Sequence, residues 1–135
     1  MKRLLLTLFF MSFSIGSIGC GPDPQLPDTR NIDSTWAALR TAILSNNIQQ
    51  AVQISHFPLQ SIDHFHKDVA NAEDFEDRFS AIFEPDLITI IRADDVFIGP
   101  GDPGLEVDIG NGYMILGFEQ FDGHYRLTYF GSINE

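Results

Sequence analysis

The chain has 135 residues and carries 19 acidic against eight basic side chains, for a net charge of −11. This length suits one domain with a single hydrophobic core. Phosphate backbones and anionic lipid headgroups attract basic patches and would be repelled by so acidic a protein. We therefore exclude nucleic acid as a partner.

Residues 1–19 are predicted to be a secretory signal peptide. Lys2 and Arg3 precede the apolar run 4–11, and small residues follow it up to Cys20, an order typical of export signals. The apolar run is shorter than the ~20 residues that a transmembrane helix needs. We expect no segment to span a membrane after processing.

The junction Ser17-Ile18-Gly19-Cys20 resembles the bacterial lipobox. In that motif a small residue precedes a cysteine that is lipidated and becomes the first residue of the mature chain, although Ser17 stands where the family usually has Leu. The resemblance implies a lipoprotein whose Cys20 carries several acyl chains, which together would anchor the protein stably to a membrane. It also implies a place in the cell envelope facing the periplasm, and Gly21 favours the outer membrane. The alternative is an ordinary signal peptide with an incidental cysteine.

The residues after the signal predict a tether and then one domain. Residues 20–31 hold the lipidated cysteine and three prolines, Pro22, Pro24 and Pro27, which favour an extended spacer. Residues 32–135 are expected to form the domain. The mature chain keeps six basic side chains against all 19 acidic ones.

The first part of the domain is predicted to be helical. Asp33 or Ser34 is expected to cap a helix with Trp36, Leu39 and Ile43 on its buried face.

Ser45-Asn46-Asn47 interrupts this pattern, and helical spacing resumes over residues 48–54 before Pro58 stops any helix. Two short helices or one kinked helix fit this stretch.

A further helix is predicted to begin at a cap formed by Asn71 with Asp74. Its buried face is expected to consist of Phe75, Phe79, Ile82 and Phe83. Glu84-Pro85 would end it and begin another helix, although residues 89–91 also fit a strand.

The last third of the chain is predicted to be strands. Residues 96–98 and 105–109 are strand-like, and two longer runs meet at Asp122-Gly123, a strong hairpin signal. Helices followed by a meander predict an α+β domain, with N-terminal helices packed on a C-terminal curved antiparallel sheet.

This layout resembles the cone-shaped domains of the NTF2-like superfamily, in which N-terminal helices pack into a curved sheet and enclose a pocket. The resemblance implies a fold and a pocket, and no particular reaction. It rests on Ala42-Ile43, Phe57-Pro58-Leu59, Glu73-Asp74-Phe75, Ile82-Phe83, residues 112–117 and Tyr125-Arg126-Leu127.

Residues 99–104 match the letters of a dinucleotide fingerprint, G-x-G-x-x-G. Pro100 and Pro103 remove backbone N–H groups that phosphates would need, and no helix is expected to follow. The segment is interpreted as a loop between strands.

The stretch Asp63-His64-Phe65-His66-Lys67-Asp68 is the most suggestive chemically. His64 and His66 would share a face if extended, but two imidazoles make only half of a metal site. His56 and His124 would complete it only if the fold brought them near, so metal binding by His64 and His66 stays open. We expect a solvated loop or edge strand with Phe65 pointing inward.

Two other groups of residues admit a structural interpretation. The acidic run Glu73-Asp74-Glu76-Asp77 is interpreted as a solvated helix face. Aromatic residues could either line a pocket or fill the core: Trp36, Phe57, Phe65, Tyr113, Phe118, Tyr125 and Tyr129.

The sequence predicts no catalytic residue, metal site or cofactor, since Cys20 is committed to lipid and no G-x-S-x-G elbow is present. We expect a non-catalytic module that binds a small molecule or an envelope protein. One alternative is a pocket enzyme of the isomerase or cyclase type with an Asp or His as base. Another is an inhibitor or immunity-like protein whose acidic surface steers a basic partner.

Overall fold

The computed structural model describes residues 27–133. The predicted signal peptide, Cys20 and most of the predicted tether lie outside the described residues. Within them, helices and strands follow in the order α1 (Ile32–Leu44), α2 (Ile48–Ile54), β1 (Ser55–Ser61), α3 (Ala72–Ile82), α4 (Pro85–Arg92), β2 (Val96–Pro100), β3 (Leu105–Ile109), β4 (Met114–Phe121) and β5 (His124–Gly131). The predicted α+β class is confirmed. No helix in the described part is long and apolar enough to cross a membrane.

The five strands form one sheet in the order β1-β5-β4-β3-β2. Strands β2 to β5 make the predicted antiparallel meander. Strand β1 was not predicted, because Pro58 was interpreted only as the residue that stops a helix. It pairs parallel to β5 at the edge of the sheet, a position where proline is tolerated, so the sheet is mixed.

Helix α1 buries the predicted face, with Trp36, Leu39 and Ile43 all in the core. Its predicted caps are wrong, however. Asn31 caps the helix, because its Oδ1 accepts hydrogen bonds from the backbone N–H groups of Asp33 at 2.8 Å and Ser34 at 3.2 Å. Those two residues therefore lie inside the first turn, where their N–H groups need a cap.

The predicted break at Ser45-Asn46-Asn47 is confirmed, since α1 ends before it and α2 begins after it. Asn46 has a φ of 57°, a left-handed conformation that ends a helix.

The cap predicted for α3 is also confirmed, because Asn71 Oδ1 accepts from Asp74 N at 2.9 Å. Below it, Phe75, Phe79 and Phe83 are buried and pack ring against ring.

The segment predicted as either helix or strand is helix α4. Glu84 caps it, and Leu87 and Ile91 are fully buried against the core. Their spacing of four residues places both on one helical face.

The predicted hairpin joins β4 to β5. Asp122 and Gly123 have φ of 53° and 80°, as a two-residue type I′ turn requires. Next to it, Leu127 pairs with Phe118 but Tyr129 pairs with Gly117, so Thr128 is an extra residue in β5. This bulge breaks the alternation of faces.

Candidate functional site

A pocket of about 300 Å³ lies between the loop that follows β1, the junction of α3 and α4, and β4. Its floor is apolar, since Ile82, Leu87 and Met114 are buried. Two aromatic side chains stand at its rim, with Phe65 67% and Tyr113 37% exposed. The polar residues of the lining are His66, Glu84 and Ser132.

The imidazole of His66 is held in place by Asp63. Its Nδ1 lies 3.0 Å from Asp63 Oδ2 and 3.1 Å from Oδ1. The Asp63 side chain is 0% exposed, whereas that of His66 is 21% exposed. Nδ1 is therefore occupied by a buried carboxylate, and a ligand in the pocket would have to use Nε2.

Asp63 is itself fixed by the backbone. Its Oδ2 accepts from Ser132 N at 2.8 Å, and its Oδ1 accepts from the N–H groups of Phe65 and His66, each at 2.9 Å. Burial alone would raise the pKa of Asp63, but these bonds and the one from His66 lower the pKa to about 2. Because an ionised carboxylate only accepts, Nδ1 of His66 must carry a proton.

A second polar pair faces the pocket across from this loop. Glu84 Oε1 accepts from the hydroxyl of Tyr113 at 2.8 Å and from Leu87 N at 2.9 Å. The hydrogen bond to Glu84 raises the pKa of Tyr113. The carboxylate thus caps α4 and orients the phenol at the rim.

The structure corrects the prediction for the histidine-rich stretch. Phe65 was expected to point inward, but it is largely exposed, and His66 turns inward to Asp63 and packs edge-on against Phe130 at 5.4 Å. Hydrogen bonds to Asp63 decide this, since they turn the chain tightly through residues 63–66. His64 is exposed on the same loop.

The remaining histidines have other partners. His56 stacks on Phe121 with ring centroids 4.2 Å apart, and His124 Nδ1 lies 2.9 Å from Thr29 Oγ1. The part of the chain that the structure describes holds no group of three His, Cys, Asp or Glu residues placed to bind a metal.

A larger cavity of about 460 Å³ lies beside residues 27–29. Three of its polar residues bind one another, because Thr29 Oγ1 contacts His124 Nδ1 and accepts from Arg126 at 3.0 Å. Thr29 also accepts at its carbonyl from Tyr125 N. These contacts hold the end of the predicted tether on β5, so we favour the first pocket as the ligand site.

The aromatic set divides between core and pocket. Trp36 and Phe118 are core residues, while Tyr129 is buried beside Glu106. Burial and the 2.6 Å hydrogen bond to Glu106 raise the pKa of Tyr129. Of this set, Phe65 and Tyr113 line the candidate pocket.

Glu84 and Ser132 were not predicted as site residues. The pair Glu84-Pro85 predicts a helix boundary, which the structure confirms, but the sequence does not indicate that one Glu84 oxygen accepts from both Leu87 N and the hydroxyl of Tyr113. Ser132 follows β5, and only the sheet order brings it beside Asp63.

The depressed pKa of Asp63 predicts a loss of stability in acid. Its carboxylate contributes about 2 kcal/mol above the unfolded-state pKa of about 4, and this contribution disappears as the pH falls to about 2. Urea unfolding at a series of pH values should show this fall. The side chain of Asp63→Asn cannot titrate, so its free energy of unfolding should fall by about 2 kcal/mol less over this pH range than that of the wild type. An equal fall in both proteins would contradict the low pKa of Asp63.

The chain matches no protein-family model, no curated protein and no solved structure. Its function must therefore be inferred from the geometry of the site.

Proposed function

We propose that this protein binds a small, partly apolar organic molecule in the pocket between the β1–α3 loop, α4 and β4. The proposal depends on one observation: the same pocket has a buried apolar floor and two polar groups held by hydrogen bonds, His66 and Glu84. Ligand sites are mostly apolar with a few well-placed polar groups that set orientation.

The size and rim of the pocket support a small molecule. Its volume of about 300 Å³ lies at the lower end of the ~300–1,000 Å³ typical of ligand sites. The exposed rings of Phe65 and Tyr113 would lose water when a ligand enters between them, which favours binding.

The predicted leader and the lipobox-like junction support an envelope lipoprotein anchored through Cys20. The proposed pocket would then face the periplasm.

We further propose that the domain is NTF2-like. Two features support this assignment, which the resemblance of the sequence implies. The helices precede the antiparallel meander, and the candidate pocket lies between helices and sheet.

Native mass spectrometry of the full lipidated protein, released gently from its own membranes, tests the binding function. We expect a stoichiometric small molecule that is lost or much weakened in Phe65→Ala. Phe97→Ala is the matched control, because Phe97 on β2 is 69% exposed and lies outside the pocket. Equal retention in both variants would place the ligand elsewhere, and a protein partner in place of a small molecule would overturn the proposal.

The hydrogen bond between His66 and Asp63 favours a second candidate, a pocket enzyme of the isomerase type. A carboxylate that fixes the tautomer of an imidazole leaves Nε2 as a general base. With a β,γ-unsaturated carbonyl compound, Nε2 would take a proton from the α-carbon, and the electron pair of the broken C–H bond would pass into a dienolate with its charge on the carbonyl oxygen. The protonated imidazole would then return the proton to the γ-carbon, the electron pair would move back from oxygen to form that C–H bond, and the double bond would end between the α- and β-carbons.

Deuterium exchange distinguishes the enzyme from the binding protein. The co-purified molecule should exchange hydrogen next to its carbonyl group in deuterium oxide when the wild-type protein or His64→Gln is present, but not with His66→Gln. Absence of exchange with the wild-type protein would reject the enzyme and leave the binding function.

A further inference from the structure

His66, Glu84 and Tyr113 offer hydrogen-bond acceptors to a ligand in the pocket, while the hydroxyl of Ser132 donates to the carbonyl of Gly112 at 3.4 Å. Nδ1 of His66 donates to Asp63, which remains ionised because its pKa is held at about 2. In the neutral imidazole Nε2 then carries a lone pair and no proton. His66 therefore presents an acceptor to the pocket.

Glu84 adds a second acceptor and a negative charge. The hydrogen bonds from Tyr113 and Leu87 both fall on Oε1, and its other oxygen accepts by the same chemistry. The hydroxyl of Tyr113 donates its hydrogen bond to Glu84. The phenol oxygen can therefore act towards a ligand only as an acceptor. Asp86, in the first turn of α4, adds negative charge near Tyr113.

In the described part of the chain, no lysine or arginine side chain lines this pocket. The cations of the neighbouring loop and helix, Lys67 and Arg78, line a separate, adjoining cavity. Arg78 is engaged there, since it donates to the carbonyls of Lys67 and Asp68 at 2.7 and 2.9 Å and pairs with Asp74 at 3.3 Å. An anionic ligand would meet Glu84 without a compensating cation, which is costly in a partly dehydrated site.

The aromatic rim favours the opposite charge. The rings of Phe65 and Tyr113 border the same pocket as Glu84, and the faces of aromatic rings attract cations. A ligand with N–H donors and a positive charge would satisfy the rings, the carboxylate and the imidazole together.

We propose that the ligand is a protonated primary amine with a compact apolar body. This inference rests on the proposed binding function and names its ligand class. The ammonium group would donate to Glu84 and to Nε2 of His66, and the apolar body would lie on Ile82, Leu87 and Met114. Charge-assisted hydrogen bonds are roughly twice as strong as neutral ones, so charge should govern selection.

Four probes that share one aromatic ring test this ligand class at neutral pH with the full-length protein in detergent: benzylamine, benzyl alcohol, benzoate and benzyltrimethylammonium. Titration followed by NMR should show benzylamine binding about tenfold more tightly than benzyl alcohol, with benzoate weakest. Benzyltrimethylammonium, which keeps the charge but has no N–H donor, should fall between benzylamine and benzyl alcohol.

Variants locate the effect at the carboxylate. Glu84→Gln keeps an oxygen that can accept from Leu87 and Tyr113, so it should weaken benzylamine about tenfold and leave benzyl alcohol unchanged. Asp77→Asn, which removes one exposed charge from α3, is the matched control and should change neither.

The outcomes separate the two proposals. Benzyl alcohol or benzoate binding as tightly as benzylamine, or an equal effect of Glu84→Gln and Asp77→Asn, would overturn the amine while leaving the binding function intact. Failure of all four probes to shift resonances of the pocket residues, with no co-purified molecule, would overturn the binding function itself.

Discussion

Replacing Asp63 with alanine is expected to destabilise the protein by about 3 kcal/mol. The change leaves the N–H groups of Ser132, Phe65 and His66, together with Nδ1 of His66, without their acceptor. Because the carboxylate is fully buried, water cannot replace it at all of these donors without opening the loop. Urea unfolding would measure the loss of stability.

A neighbouring carboxylate supplies the control for this change. Asp68 accepts a backbone hydrogen bond from Ser61 N at 2.8 Å and is exposed. Asp68→Ala should cost about 1 kcal/mol. Similar losses for both variants would mean that Asp63 is no more important than a surface carboxylate, and the fixed geometry of His66 would then lack support.

The sequence predicts most of the helices and strands because local signals coincide with the buried faces. Asn71 caps α3 and the phenylalanines below it are buried, as their spacing indicates. Asp122-Gly123 likewise forms the predicted turn. In each case the interacting residues lie within a few positions of one another in the sequence, so these elements can be predicted without the tertiary fold.

The elements that the sequence did not predict depend on distant partners. Strand β1 exists because it pairs with β5, which lies some 70 residues further along the chain in the register Ser55 to Leu127. The extra residue Thr128 in β5 is visible only when β4 lies beside it. Strand pairing and bulges of this kind leave little local signal.

The candidate site shows the same division. The sequence identified the stretch 63–68 as chemically suggestive, but could not decide which histidine turns inward. That choice depends on Asp63, whose carboxylate accepts hydrogen bonds from its own loop and from Ser132, which follows the neighbouring strand β5. The partnership of Glu84 with Tyr113 spans 29 positions and likewise required the fold.

Replacing Gly117 with alanine should destabilise the protein by about 3 kcal/mol, at the upper end of the range for overpacked sites. A Cβ at this position would overlap the Cε2 and Cζ atoms of the Tyr129 ring, which crosses the strand there. Tyr129 cannot easily move aside, because it is 6% exposed and its hydroxyl donates to Glu106 at 2.6 Å. Thermal or urea unfolding would measure the effect.

A double-mutant cycle assigns this cost to the ring. Tyr129→Ala removes the obstacle, so Gly117→Ala should cost about 2 kcal/mol less in that background than in the wild type. Tyr129→Phe keeps the ring and loses only the hydroxyl, so the glycine substitution should remain nearly as costly there. If Gly117→Ala costs the same in all three backgrounds, contact with Tyr129 is not what requires glycine in β4, and the packing of this face of the sheet must be reassigned.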